Sequence, residues 1–196
     1  MTESDVTPMD CSPLAPTPPS LADCPSNPAL GFLSFLDEPS GLVGGYLLTN
    51  SWGRPIEFRL SSAVQPTRVQ QILYGPTLSD YLHGELLGKT LVEKAALRPG
   101  LILSDRLAAL GLRDRLNVPV VAVRPATDTV EEGWIAFRHG RCSTMLVMEA
   151  RHAADRDQIV ARLELVDTAV DLAEPFARIR EAVAEARKTG AVNRAA

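Results

Sequence analysis

Ser104-Asp105 is the pair in this chain best placed for chemistry. It follows the apolar run Leu101-Ile102-Leu103 and opens a stretch with helical spacing. In open α/β sheets, ligands bind beyond the carboxyl ends of the strands, so Asp105 holds a favoured position for a catalytic or ligand-binding carboxylate. The same residue types cap helices, and capping is the simpler account. Glu85 and Glu93 are a second set. Eight residues separate them, about 80° around a helix of 3.6 residues per turn, so they do not share one tight face. Glu85 and Lys89 stand i, i+4 in the favourable order, which predicts a surface ion pair. His83, His139 and His152 fall in no H-x-x-x-H or H-x-H spacing. On that ground no metal centre is expected.

Trp52-Gly53-Arg54-Pro55 offers recognition instead of catalysis. Trp and Arg dominate interface hot spots, so Trp52 and Arg54 at a hairpin tip are the candidate interaction residues. The alternative is that Trp52 folds back over the hairpin. Gly84 and Gly88 lie four residues apart on a helical stretch, and each lowers helix propensity by up to ~1 kcal/mol. Close packing of that helix onto the sheet or a partner is the simplest reason. No G-x-G-x-x-G or Walker phosphate loop is present.

Composition narrows the class. The chain has 196 residues, 45% of them hydrophobic, enough for one domain with its own core. Residues 1–30 hold seven of the fifteen prolines, four acidic residues and no Lys or Arg. That predicts a disordered acidic Pro-rich tail, with Pro16-x-x-Pro19 as a possible docking motif and solubilisation as the plainer role. Residues 31–190 form the expected single α/β domain. The chain after residue 30 holds 20 basic and 20 acidic residues, so no net charge pulls it to phosphate backbones, and nucleic acid is not the expected partner. Cys11, Cys24 and Cys142 make no C-x-x-C, which fits a reducing compartment. No secretory leader and no apolar run of ~18–20 residues is seen, so a cytoplasmic protein without a membrane partner is expected.

The elements that must position these residues follow from periodicity. Gly31–Leu36, Leu42–Thr49 and the alternating Ile56–Leu60 read as an antiparallel meander, with Asp37–Gly41 and Asn50–Gly53 as turns. Val69, Ile72 and Leu73 then recur at helical spacing until Gly75-Pro76. Leu78, Leu82, Leu86, Leu87, Leu91 and Val92 mark a second helix. Leu101–Leu103 and Val118–Val123 are continuous apolar runs around the helical stretch Arg106–Leu116, which predicts a βαβ unit with buried parallel strands. Trp134–Phe137 and Thr144–Met148 read as a hairpin, and two C-terminal helices follow. The expected class is α/β: a mixed sheet with an N-terminal meander, a βαβ unit and packed helices.

This element order, β-β-β-α-β-α-β over roughly residues 31–123, resembles the RNase H-like superfold. Members with nuclease activity hold divalent metals between acidic residues. The resemblance implies Asp37 at the end of the first strand, Glu85 or Glu93 on the helix, and Asp105 after the fourth strand, with Mg²⁺ as cofactor. Three readings stay open. A non-enzymatic interaction or regulatory domain that binds a protein or self-associates is preferred, because no catalytic constellation is found. A metal-dependent nuclease and a small-molecule site near Asp105 are the alternatives.

Overall fold

The computed structural model describes residues 29–130, 132–140 and 144–188. Seven strands form one mixed sheet: β1 (Leu30–Glu38), β2 (Gly41–Thr49), β3 (Pro55–Leu60), β4 (Leu101–Ser104), β5 (Val120–Arg124), β6 (Trp134–Phe137) and β7 (Met145–Glu149). Their order is β3-β2-β1-β4-β5-β7-β6. β1, β2 and β3 are the antiparallel meander, β1, β4 and β5 run parallel, and β7 and β6 return antiparallel. The pairing at the centre is the one the apolar runs predict: Ile102 lies opposite Val120 and Ser104 opposite Ala122.

Alternation along each strand divides the core into two layers. Leu33, Phe35, Tyr46, Leu48, Ile102 and Ala122 face one side. There they meet Leu82, Leu87, Leu91 and Val92 of the central helix, with Ala109, Leu110 and Leu112. Leu30, Phe32, Val43, Leu47, Leu101, Leu103 and Val121 face the other side. Helices α4 (Arg156–Glu164) and α5 (Glu174–Lys188) cover them with Ile159, Leu163, Phe176, Ile179 and Val183. A central strand buried on both faces must be apolar throughout, which is why β4 and β5 carry no alternation.

Helix α1 (Arg68–Tyr74) begins at a capping box between Thr67 and Gln70 and stops at Gly75, which has φ +50°. A 3₁₀ turn (Gly75–Thr77) leads into α2 (Leu78–Asp80), a π-helical stretch (Tyr81–Gly88) and α3 (Lys89–Glu93). At Gly88 a Cβ would stand 2.4 Å from the His83 carbonyl oxygen, so the widened turn requires glycine. At Gly84 a Cβ would stand 3.5 Å from Leu112 N. The close approach implied by the two glycines is therefore to the 3₁₀ segment Leu107–Asp114, not to the sheet.

Several expectations change. The body begins before residue 31, because Ala29 and Leu30 are buried and Leu30 pairs with Thr49 and Leu101. Asp37 belongs to β1 and not to a turn, since the hairpin ladder continues through Asp37–Leu42 and Glu38–Gly41. The segment after β4 is a 3₁₀ helix. The pair expected between Glu85 and Lys89 is absent: Glu85 meets Arg115 at 2.7 Å and Lys89 meets Glu93 at 3.8 Å. Residues 85–88 are wound with π geometry, which takes i and i+4 off a common face. Residues 1–28, with Pro16, Pro19, Cys11 and Cys24, lie outside the described residues, as does Cys142. No described helix is long and apolar enough to cross a membrane.

Candidate functional site

Strand register sets the centre of the site. Leu33 of β1 lies opposite Ser104 of β4, so Ser34 and Asp105 come next on neighbouring parallel strands. The Asp105 N–H donates to the Leu33 carbonyl at 3.3 Å. Ser34 shares the parity of Leu30 and Phe32, and Asp105 that of Leu101 and Leu103, so both side chains emerge on the α5 face. The Ser34 hydroxyl donates to Asp105 Oδ2 at 2.5 Å. Arg180 Nη1 of α5 stands 3.5 Å from the same oxygen. Asp105 Oδ1 is buried without a hydrogen-bond partner. Burial pushes the Asp105 carboxyl above its usual range, opposed by the Ser34 hydrogen bond and by the Arg106 and Arg180 guanidinium groups. Such a group can hold a proton or a polar ligand atom at the carboxyl ends of β1 and β4.

The other candidate carboxylates do not join it. Asp37 stands three residues beyond Ser34 and so has the opposite parity; its side chain is 79% exposed and pairs with Arg106 at 3.2 Å. Glu85 and Glu93 ride on the helical layer of that second face, each exposed and paired with Arg115 or Lys89. Asp105 with Asp37, Glu85 or Glu93 therefore does not fit a divalent ion. Among the described residues, one group of potential ligands does converge: Asp114, Glu149 and His152, with ligand atoms within 4.8 Å of one another. Arg151 already lies there, Nη2 at 2.7 Å from Asp114 Oδ2 and Nε on Glu149. The guanidinium supplies the positive charge that the two carboxylates need.

Of the remaining histidines, His83 has structural contacts, and His139 Nδ1 is buried without a hydrogen-bond partner. His83 packs edge-on against Phe35 with ring centroids 4.8 Å apart, and its Nδ1 lies 2.7 Å from the Ser79 carbonyl oxygen. His139 lies between β6 and β7. A cavity of about 280 Å³ opens beyond β5, lined by Leu107, Arg124, Asp128, Trp134, Met145 and Val147, without Asp105.

The hairpin joining β2 and β3 is the other candidate surface. Asn50 holds its tip: the Asn50 side-chain oxygen accepts from the N–H groups of Trp52 and Arg54, both at 3.0 Å. Gly53 takes φ +69°, and its carbonyl accepts from Arg178 of α5 at 3.0 Å. The tip is thus fixed to the body while Trp52 remains 60% exposed. Arg54 is exposed beside it. Sequence reasoning did not single out Ser34, Arg106 or Arg180. The available signal for Ser34 was its place as the one polar side chain inside Gly31–Leu36. Nothing local marks the two arginines.

No family model matches this chain, and no curated protein matches it. Among solved structures it is similar to endonuclease V from Bacillus subtilis, with 11% identity, a TM-score of 0.48, and coverage of 86% of this chain and 83% of that one. It is also similar to Argonaute from Marinitoga piezophila in complex with a 5′-OH guide RNA. That likeness has 8% identity, a TM-score of 0.36, and coverage of 71% of this chain and 26% of that one.

Proposed function

We propose that this chain is a non-enzymatic interaction or regulatory domain that engages a protein partner through the β2–β3 hairpin. The observation that carries the reading is that Asp37, Glu85, Glu93 and Asp105 form no convergent ligand group among the described residues, and each has a basic side chain beside it. A metal-assisted cleavage site needs ligands that converge on a shared ion or ion pair. The fixed tip gives the positive half of the reading. A hairpin tip whose backbone is already held loses little backbone freedom on binding, and Trp and Arg are enriched at hot spots.

A second reading, a metal-dependent nuclease, is supported by the order of elements along the chain: β1, β2, β3, a helical stretch, β4, a 3₁₀ helix and β5, as in the order that suggested the RNase H-like resemblance. One experiment separates the two. The full chain is incubated with single- and double-stranded DNA and RNA in Mg²⁺ and in Mn²⁺. The proposal expects intact nucleic acid. Cleavage that disappears with Asp105→Asn overturns it and establishes the nuclease.

A further inference from the structure

We infer that the open edge of β3 pairs antiparallel with the same edge of a second copy of this chain, in a register centred on Phe58. This rests on the interaction reading and names its partner.

β3 is the last strand at its end of the sheet. The Ser61 N–H donates to the Gly44 carbonyl at 2.9 Å, and Leu42 and Val64 exchange backbone bonds at 2.8 Å. Backbone groups alternate sides along an antiparallel strand. The odd positions Glu57, Arg59 and Ser61 therefore point to β2, and Phe58 and Leu60 present their N–H and C=O groups outward, while a register shift opposite Leu48 and Thr49 makes Ile56 the extra residue of a bulge. Unpaired edges of this kind are templates for another strand, and proteins usually blunt them with Lys, Pro or a covering segment. Pro55 and the bulge at Ile56 blunt only the N-terminal end of β3; from Glu57 to Leu60 the strand has no Lys or Pro and, among the described residues, no covering segment pairs with it. Ile56 is 45% exposed and Phe58 40% exposed.

The sequence of the strand is complementary to itself. With Phe58 opposite the partner's Phe58, Ile56 falls opposite the partner's Leu60 and Glu57 opposite the partner's Arg59. Apolar side chains then meet on the α5 face and opposite charges on the other. The pair that exchanges hydrogen bonds is Phe58 with its copy, and Leu60 also presents its backbone groups outward, toward the partner's bulged Ile56. Glu57 and Arg59 occupy the non-hydrogen-bonded positions, where side chains approach more closely. A slip of one residue would set charged side chains against apolar ones, so the pattern selects this register.

The test is the mass of the full chain in solution by light scattering. The expected value is twice 21.2 kDa. Glu57→Arg alone and Arg59→Glu alone each set like charges opposite one another twice across the two-fold axis, and each should weaken the dimer about tenfold. Mixed together, the two variants restore opposite charges and should form a heterodimer of wild-type affinity. Glu57 also accepts the Ala96 N–H at 2.9 Å, so Phe58→Lys serves as a second disruption that leaves that bond in place. It is expected to be monomeric with wild-type melting. A monomeric wild-type chain, variants that dimerise like wild type, or a mixture no better than its components would each overturn the inference. Those results leave the non-enzymatic reading intact, and metal-dependent cleavage would overturn that reading without changing the measured mass.

Discussion

Ser34→Ala interrogates the most constrained polar contact in the molecule. Ser34 is fully buried and its hydroxyl is the closest partner of Asp105, at 2.5 Å, while Arg180 stands off at 3.5 Å. The other carboxylate oxygen is buried without a partner. Hydrogen bonds to charged groups contribute about 1.5–3 kcal/mol, and Asp105 is only partly exposed, so we expect a loss of about 2 kcal/mol near neutral pH. For a domain of this size that is a fall in Tm of roughly 4–8 °C. The pH dependence has a defined sign. Burial raises the Asp105 carboxyl, so the folded state holds its proton more tightly than the unfolded chain. The resulting stabilisation is complete below the unfolded pKa and is lost as pH rises through the folded one. Ser34 favours the charged form, so its removal costs most above the folded pKa and progressively less on acidification. In the Asp105→Asn background the Ser34→Ala penalty should fall to that of a neutral pair, about 1 kcal/mol. Circular-dichroism melts of the three variants, at neutral and acidic pH, make the comparison. A Ser34→Ala chain that melts with wild type at neutral pH, or a penalty that grows as pH falls, would refute the reasoning.

Two packing predictions follow. Gly84→Ala places its Cβ in ordinary contact 3.5 Å from Leu112 N and should be neutral or stabilising. Gly84→Leu should overpack against the 3₁₀ segment and lose about 1–3 kcal/mol, and unchanged melting in scanning fluorimetry would count against it. Tyr46 is fully buried with a hydroxyl that lacks a partner. An unpaired buried hydroxyl costs about 1–3 kcal/mol, so Tyr46→Phe should hold or raise stability in urea unfolding, and a clear loss would show the hydroxyl is bonded.

How much of this was legible depended on range. Continuous apolar runs identified β4 and β5, and alternation identified β3, because these signals lie within a few residues. The capping box at Thr67 and the stop at Gly75 are equally local. The π-helical stretch was not legible: its widened turn depends on how Leu82, Leu87 and Leu91 settle on the sheet. Asp105 stood out from its position after a buried strand. Ser34 and Arg180, which complete its surroundings, lie 71 and 75 residues away in sequence. Their approach depends on the β1–β4 register and on the docking of α5, neither of which has a local signature.

That register bears directly on function. Asp37 and Ser34 differ by an odd number of positions, so the strand turns one away from the face that carries the other. A rotamer change cannot bring the Asp37 carboxylate to Asp105 through the sheet. Sliding β1 by one residue could, but it would also turn Leu30 and Phe32 out of one core layer and Leu33 and Phe35 out of the other. β1 is buried on both faces, so each of those side chains would have to repack in the opposite layer, at about 1–3 kcal/mol for each misfitted site. Bringing the Asp37 carboxylate to Asp105 by a slip would therefore require both core layers to repack around β1. The features of this sheet still open to a partner are at its margin, where Ile56 and Phe58 remain exposed along an unpaired strand.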